Sequence, residues 1–138
     1  MFVDMQGNRR LVASRLTGVP ARFEAAIGSG REGYYSVRLA DAGMLVWSFE
    51  TGDPVELVET IAPDVAAWAT FAGELDRFGV FSWLPRYDDP SVVGGTYWTL
   101  ACRWASRTVD SSGANAFPPH FEQVCAALEQ LLEGRTFR

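Results

Sequence analysis

The chain has 138 residues, near the commonest size for one domain, and it is 48% hydrophobic and 21% charged, which excludes disordered and fibrous classes. A net charge of −5 argues against a nucleic-acid binder, because neutralising phosphates needs a basic face. All 12 basic residues are arginine, a bias that a GC-rich coding sequence produces on its own.

The first ten residues have no apolar run behind their charges, so no secretory signal is expected, and nowhere do 18 apolar residues run together to span a membrane. Strands are expected over Arg10–Thr17 and Pro20–Gly28, joined at Gly18-Val19. In the second, Phe23, Ala25 and Ile27 alternate with Arg22, Glu24 and Ala26, the period of a half-buried strand. The Gly28–Gly33 segment reads as a loop. It lacks the lysine of a phosphate-binding loop and precedes a strand rather than a helix. Tyr35, Val37 and Leu39 then alternate with Tyr34, Ser36 and Arg38. After Asp41-Ala42-Gly43 the pattern resumes at Leu45, Trp47 and Phe49, which predicts a hairpin.

Gly52-Asp53-Pro54 interrupts the sheet, and Val55–Thr60 adds a short strand. Pro63-Asp64 opens a helix whose stripe is Val65, Trp68, Phe71, Ala72, Leu75 and Phe78, with Gly79 as its stop. Val80–Leu84 reads as a short apolar strand ended by Pro85, and Arg86–Gly95 as a loop. Tyr97–Arg107 is the longest expected strand, with Trp98, Leu100, Cys102 and Trp104 on one face and Tyr97, Thr99, Ala101 and Arg103 on the other. Asp110–Asn115 has turn chemistry. Pro118-Pro119 starts a last helix with the stripe Phe121, Val124, Cys125, Leu128, Leu131 and Leu132, ended by Gly134. With no linker or repeat, residues 1–138 read as a single domain.

Five to seven mostly antiparallel strands and two amphipathic helices predict an α+β fold with both helices on one face of a twisted sheet. Arg22, Glu24, Ser36, Arg38, Thr99 and Arg103 in the polar phase of the strands predict that the other face stays open to water or to a partner.

Residues with catalytic potential are sparse. The single histidine, His120, sits at a helix start, where imidazole basicity falls. Cys125 lies five residues further along, poorly placed for a hydrogen bond to it, and Cys102 and Cys125 fall on core stripes as free thiols. Neither a metal site nor a cofactor site is expected. Asp88-Asp89 and Asp110 are the nearest to paired carboxylates for acid–base work, while adjacent loop aspartates are ordinary turn formers. A small hydrolase or small-molecule binder would therefore use Asp88, Asp89, Asp110 or His120.

Aromatic and arginine residues crowd around one loop. Trp83, Arg86, Tyr87, Asp88, Asp89, Tyr97 and Arg103 have the composition of a protein-docking surface. The expected partner is another protein, basic to complement the acidic chain, or a second copy as a homodimer. A cytoplasmic location fits the cysteine usage.

Trp68, Phe71 and Leu75, then Phe81-Ser82-Trp83 and Tyr87, then Gly95-Thr96-Tyr97-Trp98-Thr99-Leu100, lead to Gly113-Ala114-Asn115-Ala116-Phe117-Pro118-Pro119-His120-Phe121. Over roughly residues 63–133 this resembles small bacterial domains of unknown function that carry a G-x-N-x-[FY]-P-x-x-F segment before a final helix. Some of those look like immunity or accessory proteins of toxin systems. The resemblance implies no catalytic residues. In the segment, Gly113 and Asn115 are expected to take left-handed backbone, Phe117 to plug the core, and Pro118-Pro119 to set the helix entry.

Overall fold

A computed structural model describes residues 16–52 and 56–138. It is an α+β fold: seven strands form one open sheet in the order β4-β3-β2-β1-β6-β7-β5. The strands are β1 (Arg22–Ser29), β2 (Gly33–Leu39), β3 (Leu45–Glu50), β4 (Glu56–Ile61), β5 (Arg86–Asp88), β6 (Tyr97–Trp104) and β7 (Arg107–Ala114), with helices α1 (Val65–Arg77) and α2 (Phe121–Leu131). All neighbours are antiparallel except β5 and β7.

Side-chain parity assigns the two faces. Phe23, Ala25, Ile27, Val37, Leu45, Trp47, Trp98, Leu100, Cys102, Trp104 and Val109 all point to one side and are buried there. Trp68, Phe71 and Leu75 of α1 and Phe121, Val124, Leu128 and Leu131 of α2 close over them. Edge-to-face contacts lock the layers: Phe23 with Phe71 at 5.5 Å and Trp68 with Trp104 at 5.8 Å between ring centroids. The tail after α2 extends this cover, with Phe137 buried and the Trp47 indole donating to the Thr136 carbonyl at 2.8 Å.

Local chemistry explains the helix ends. Asp64 is the N-cap of α1 and its carboxylate accepts from the Ala67 N–H at 2.8 Å. Past α2, Gly134 at φ 93° lets its N–H reach back to the Glu129 carbonyl, the left-handed stop expected of it.

Several segments differ from the sequence expectations or lie outside the described residues. The strand expected at Arg10–Thr17 lies almost wholly outside the described residues, and Leu16 and Thr17 are not in a strand. Val80–Ser82 is a 3₁₀ turn rather than a strand, because Gly79 at φ 67° reverses the chain and the Ser82 and Trp83 amides bond back to Gly79 and Val80. Arg86–Asp88 is not loop but the edge strand β5, laid parallel on β7. The long strand ends at Trp104. Ala105 turns it at φ 53°, and the supposed turn Asp110–Asn115 is mostly strand β7. Polar residues tolerate that strand because each has a local role. Buried Ser111 donates to the Leu84 carbonyl at 2.6 Å, Ser112 accepts from Arg86, and Gly113 makes room for Trp98.

Candidate functional site

The face opposite the helices is the candidate site. Cross-strand pairing lays its residues out in rows. One row runs Glu56, Glu50, Tyr34, Gly28, Tyr97, Ala114, Asp88. The next runs Val58, Ser48, Ser36, Ala26, Thr99, Ser112, Arg86. A third runs Thr60, Val46, Arg38, Glu24, Ala101, Asp110, and Arg22 lies beside Arg103 beyond it. The centre is made of small residues, with Ser36 and Ser48 hydroxyls 2.6 Å apart, so the surface is shallow.

Two tyrosines stand out on this floor. Tyr34 and Tyr97 are the direct neighbours of Gly28 on either side and are 39% and 42% exposed. Gly28 has no room for a side chain: a Cβ there would sit 2.1 Å from the Gly33 carbonyl oxygen and 2.8 Å from the Tyr34 ring. Tyr34 therefore packs close over Gly28, and the two tyrosines sit on either side of that strand. Tyr34 and Gly28 were not singled out from sequence, although Tyr34 falls in the polar phase of its strand, the signal that would have found it.

The anticipated docking residues divide between the faces. Tyr97 and Arg103 lie on the open face and are exposed. Arg86 and Asp88 share its edge, where Arg86 reaches Ser112 at 3.2 Å and Asp88 at 3.5 Å. Asp89 caps the following turn, accepting from the Ser91 hydroxyl at 2.6 Å and amide at 3.1 Å, and these bonds hold its carboxyl below the usual range. Tyr87 and Trp83 are on the helix side. Tyr87 packs on Trp98, and its hydroxyl accepts from the Leu84 amide at 3.0 Å. Trp83 is buried against Trp98 and Phe121, because the 3₁₀ turn aims it inward. Most of the aromatic excess is thus core: all five tryptophans are buried.

The loop 89–96 is pinned by Asn115. Its carboxamide accepts from the Thr96 amide at 2.9 Å and donates to the Gly94 carbonyl at 2.7 Å, with its backbone left-handed at φ 59° as expected. Gly113 is not left-handed; its role is steric, since a Cβ there would lie 2.3 Å from the Trp98 indole nitrogen. Phe117 does not plug the core but is 46% exposed, stacked on Phe121 at 5.0 Å.

The residues considered for catalysis do not converge. Asp110 pairs with Ala101 and Asp88 with Ala114, four residues apart along β7, which is about 13 Å. His120 is on the opposite side of the sheet as the left-handed N-cap of α2, its ring 5.3 Å from Phe78. Both cysteines are free and buried, and burial pushes each thiol up to about 12, with Glu129 and Glu122 adding to the effect at Cys125. Among the described residues no three His, Cys, Asp or Glu side chains come together as metal ligands, and no helix is long and apolar enough to cross a membrane.

A sizeable cavity lies elsewhere: a groove of about 730 Å³ on the helix side, between α2, the end of β1 and the C-terminal tail. Ile27, Phe117, Phe121 and Phe137 form its apolar walls, and Glu122, Cys125 and Glu129 line it from α2.

No protein-family model matches the chain, and no curated protein is significantly similar to it.

Proposed function

We propose that this chain is a non-enzymatic binding domain that docks another protein through the open sheet face and the edge segment 86–95. An immunity-like or regulatory role in a bacterial cytoplasm is its most concrete form. The observation that carries this is a seven-stranded sheet with one face that no helix among the described residues covers, and two half-exposed tyrosines flanking Gly28 on it. Six strand spacings by a strand length give roughly 600 Å² of surface, close to the ~800 Å² per partner of a standard interface. Tyrosine offers such a surface a large contact at low entropic cost.

Charge favours a basic partner. Glu56, Glu50 and Asp88 share the row of Tyr34 and Tyr97, and among the described residues only Asp88 of the three has an arginine, Arg86, within ion-pair distance. The test is capture of a native partner by the purified chain, with light scattering to detect a second copy. The double change Tyr34→Ala and Tyr97→Ala should abolish capture without lowering the melting temperature. A strict monomer that retains no partner would overturn the proposal, as would capture undiminished by the double change.

A further inference from the structure

The groove beside α2 has the size and walls of a small-molecule site, and its charges select the ligand. A volume of about 730 Å³ falls within the range of roughly 300–1,000 Å³ that holds one small organic molecule. Phe117 is an unusual wall residue, a large ring left 46% exposed at the mouth. Beneath it Ile27, Phe121 and Phe137 supply buried apolar surface.

The polar lining is asymmetric. Glu122, Cys125 and Glu129 lie three and then four residues apart on α2, so all three face the same space. Both carboxylates act on the Cys125 thiol and hinder its ionisation, so their negative field reaches the groove wall. Among the described residues Arg138 is the one guanidinium in the lining, which His120 also joins; Arg138 is already 3.5 Å from Glu129, whose carboxylate also accepts from the Phe137 amide at 2.7 Å. A second cavity of about 320 Å³ adjoins through Ile27, Thr96 and Arg138 and adds another carboxylate, Glu32. An anionic ligand would meet more negative than positive charge; a cation would meet Glu122 and the aromatic faces together.

We infer that this groove binds an amphipathic amine, its ammonium held at Glu122 and its apolar body laid against Phe117, Phe121 and Phe137. The site stands apart from the open sheet face, so it can hold or fail independently of the docking proposal.

Three matched probes test it on the whole chain: 4-phenylbutylamine, 4-phenylbutanol and 4-phenylbutyrate, titrated by calorimetry and by amide shifts across residues 117–138. The amine should saturate and shift the α2 amides, with the alcohol about tenfold weaker and the carboxylate weaker still. Glu122→Gln, on an exposed side chain in the first turn of α2, should bring the amine down to the level of the alcohol and leave the alcohol unchanged. Phe117→Ala should weaken amine and alcohol alike. Carboxylate binding as tight as the amine, an amine affinity indifferent to Glu122→Gln, or no saturation by any probe at millimolar concentration would overturn the assignment.

Discussion

The two faces of the sheet are built from alternate residues of the same strands, yet they follow opposite rules. On the helix side each residue is fixed by a close neighbour: Trp98 lies over Gly113 and donates its indole N–H to the Ala116 carbonyl at 2.9 Å. Trp104 meets Trp68 and Phe71 and bonds the Thr17 carbonyl. On the open side the described side chains are constrained by β-sheet registry, a few ion pairs such as Arg22 with Glu24 at 3.0 Å, and hydroxyl contacts such as Ser36 with Ser48. One face therefore carries most of the stability, and the other is less constrained.

The sharpest way to break this contrast is to empty the covered side. Trp104→Ala should cost about 3–5 kcal/mol by leaving a cavity beside Trp68 and Phe71, seen as a large fall in the denaturation midpoint. Filling instead of emptying should be nearly as damaging. Gly113→Ala should cost about 1–3 kcal/mol, because its methyl group must evict the Trp98 indole, and the change should register in tryptophan fluorescence.

A third, gentler effect comes from pH. The folded thiols of Cys102 and Cys125 ionise only at about 12, against an ordinary value of 9.0. Their contribution is fully present below pH 9 and is lost as pH rises toward 12, since the unfolded chain releases those protons first. Stability should fall over that alkaline range, less so in a Cys102→Ala, Cys125→Ala variant compared with its own neutral-pH value. A thiol reagent at pH 8 should label neither cysteine until denaturant is added. The smallest effect belongs to the open face. Tyr97→Ala should change stability by less than about 0.5 kcal/mol, and a larger loss would mean that this face also supports the fold.

Where neighbours in sequence decide the outcome, the architecture was legible. The alternation at Phe23, Ala25 and Ile27, the hairpins at 30–32 and 41–43, and the stripes of both helices appear where periodicity places them, except that Val65, expected on the stripe of α1, is 84% exposed in its first turn. The polar phase of Arg22, Glu24, Ser36, Arg38, Thr99 and Arg103 does mark the open face. What failed was set by contacts distant along the chain. Asp110-Ser111-Ser112-Gly113 has turn composition, but it is a strand because Leu84, Arg86 and Trp98 satisfy or require each residue. Trp83 read as surface because its direction depends on the left-handed Gly79 three residues before Ser82. The groove was invisible for a similar reason, since the tail around Phe137 and the mouth residue Phe117 meet only through tertiary packing.

The strand order has one more outcome, at the sheet's margins. β5 is only three residues long, so one boundary offers almost no ladder for another chain to extend. The opposite boundary, β4, is longer and exposes Leu57 and Val58, a natural seed for fibrous stacking. Glu56 and Glu59 bracket that pair: two β4 edges aligned antiparallel about Leu57-Val58 would set each Glu56 against a Glu59 of the other molecule. Arg135 engages Glu59 at 2.6 Å, so the charge that opposes such stacking at this rim is carried mainly by Glu56.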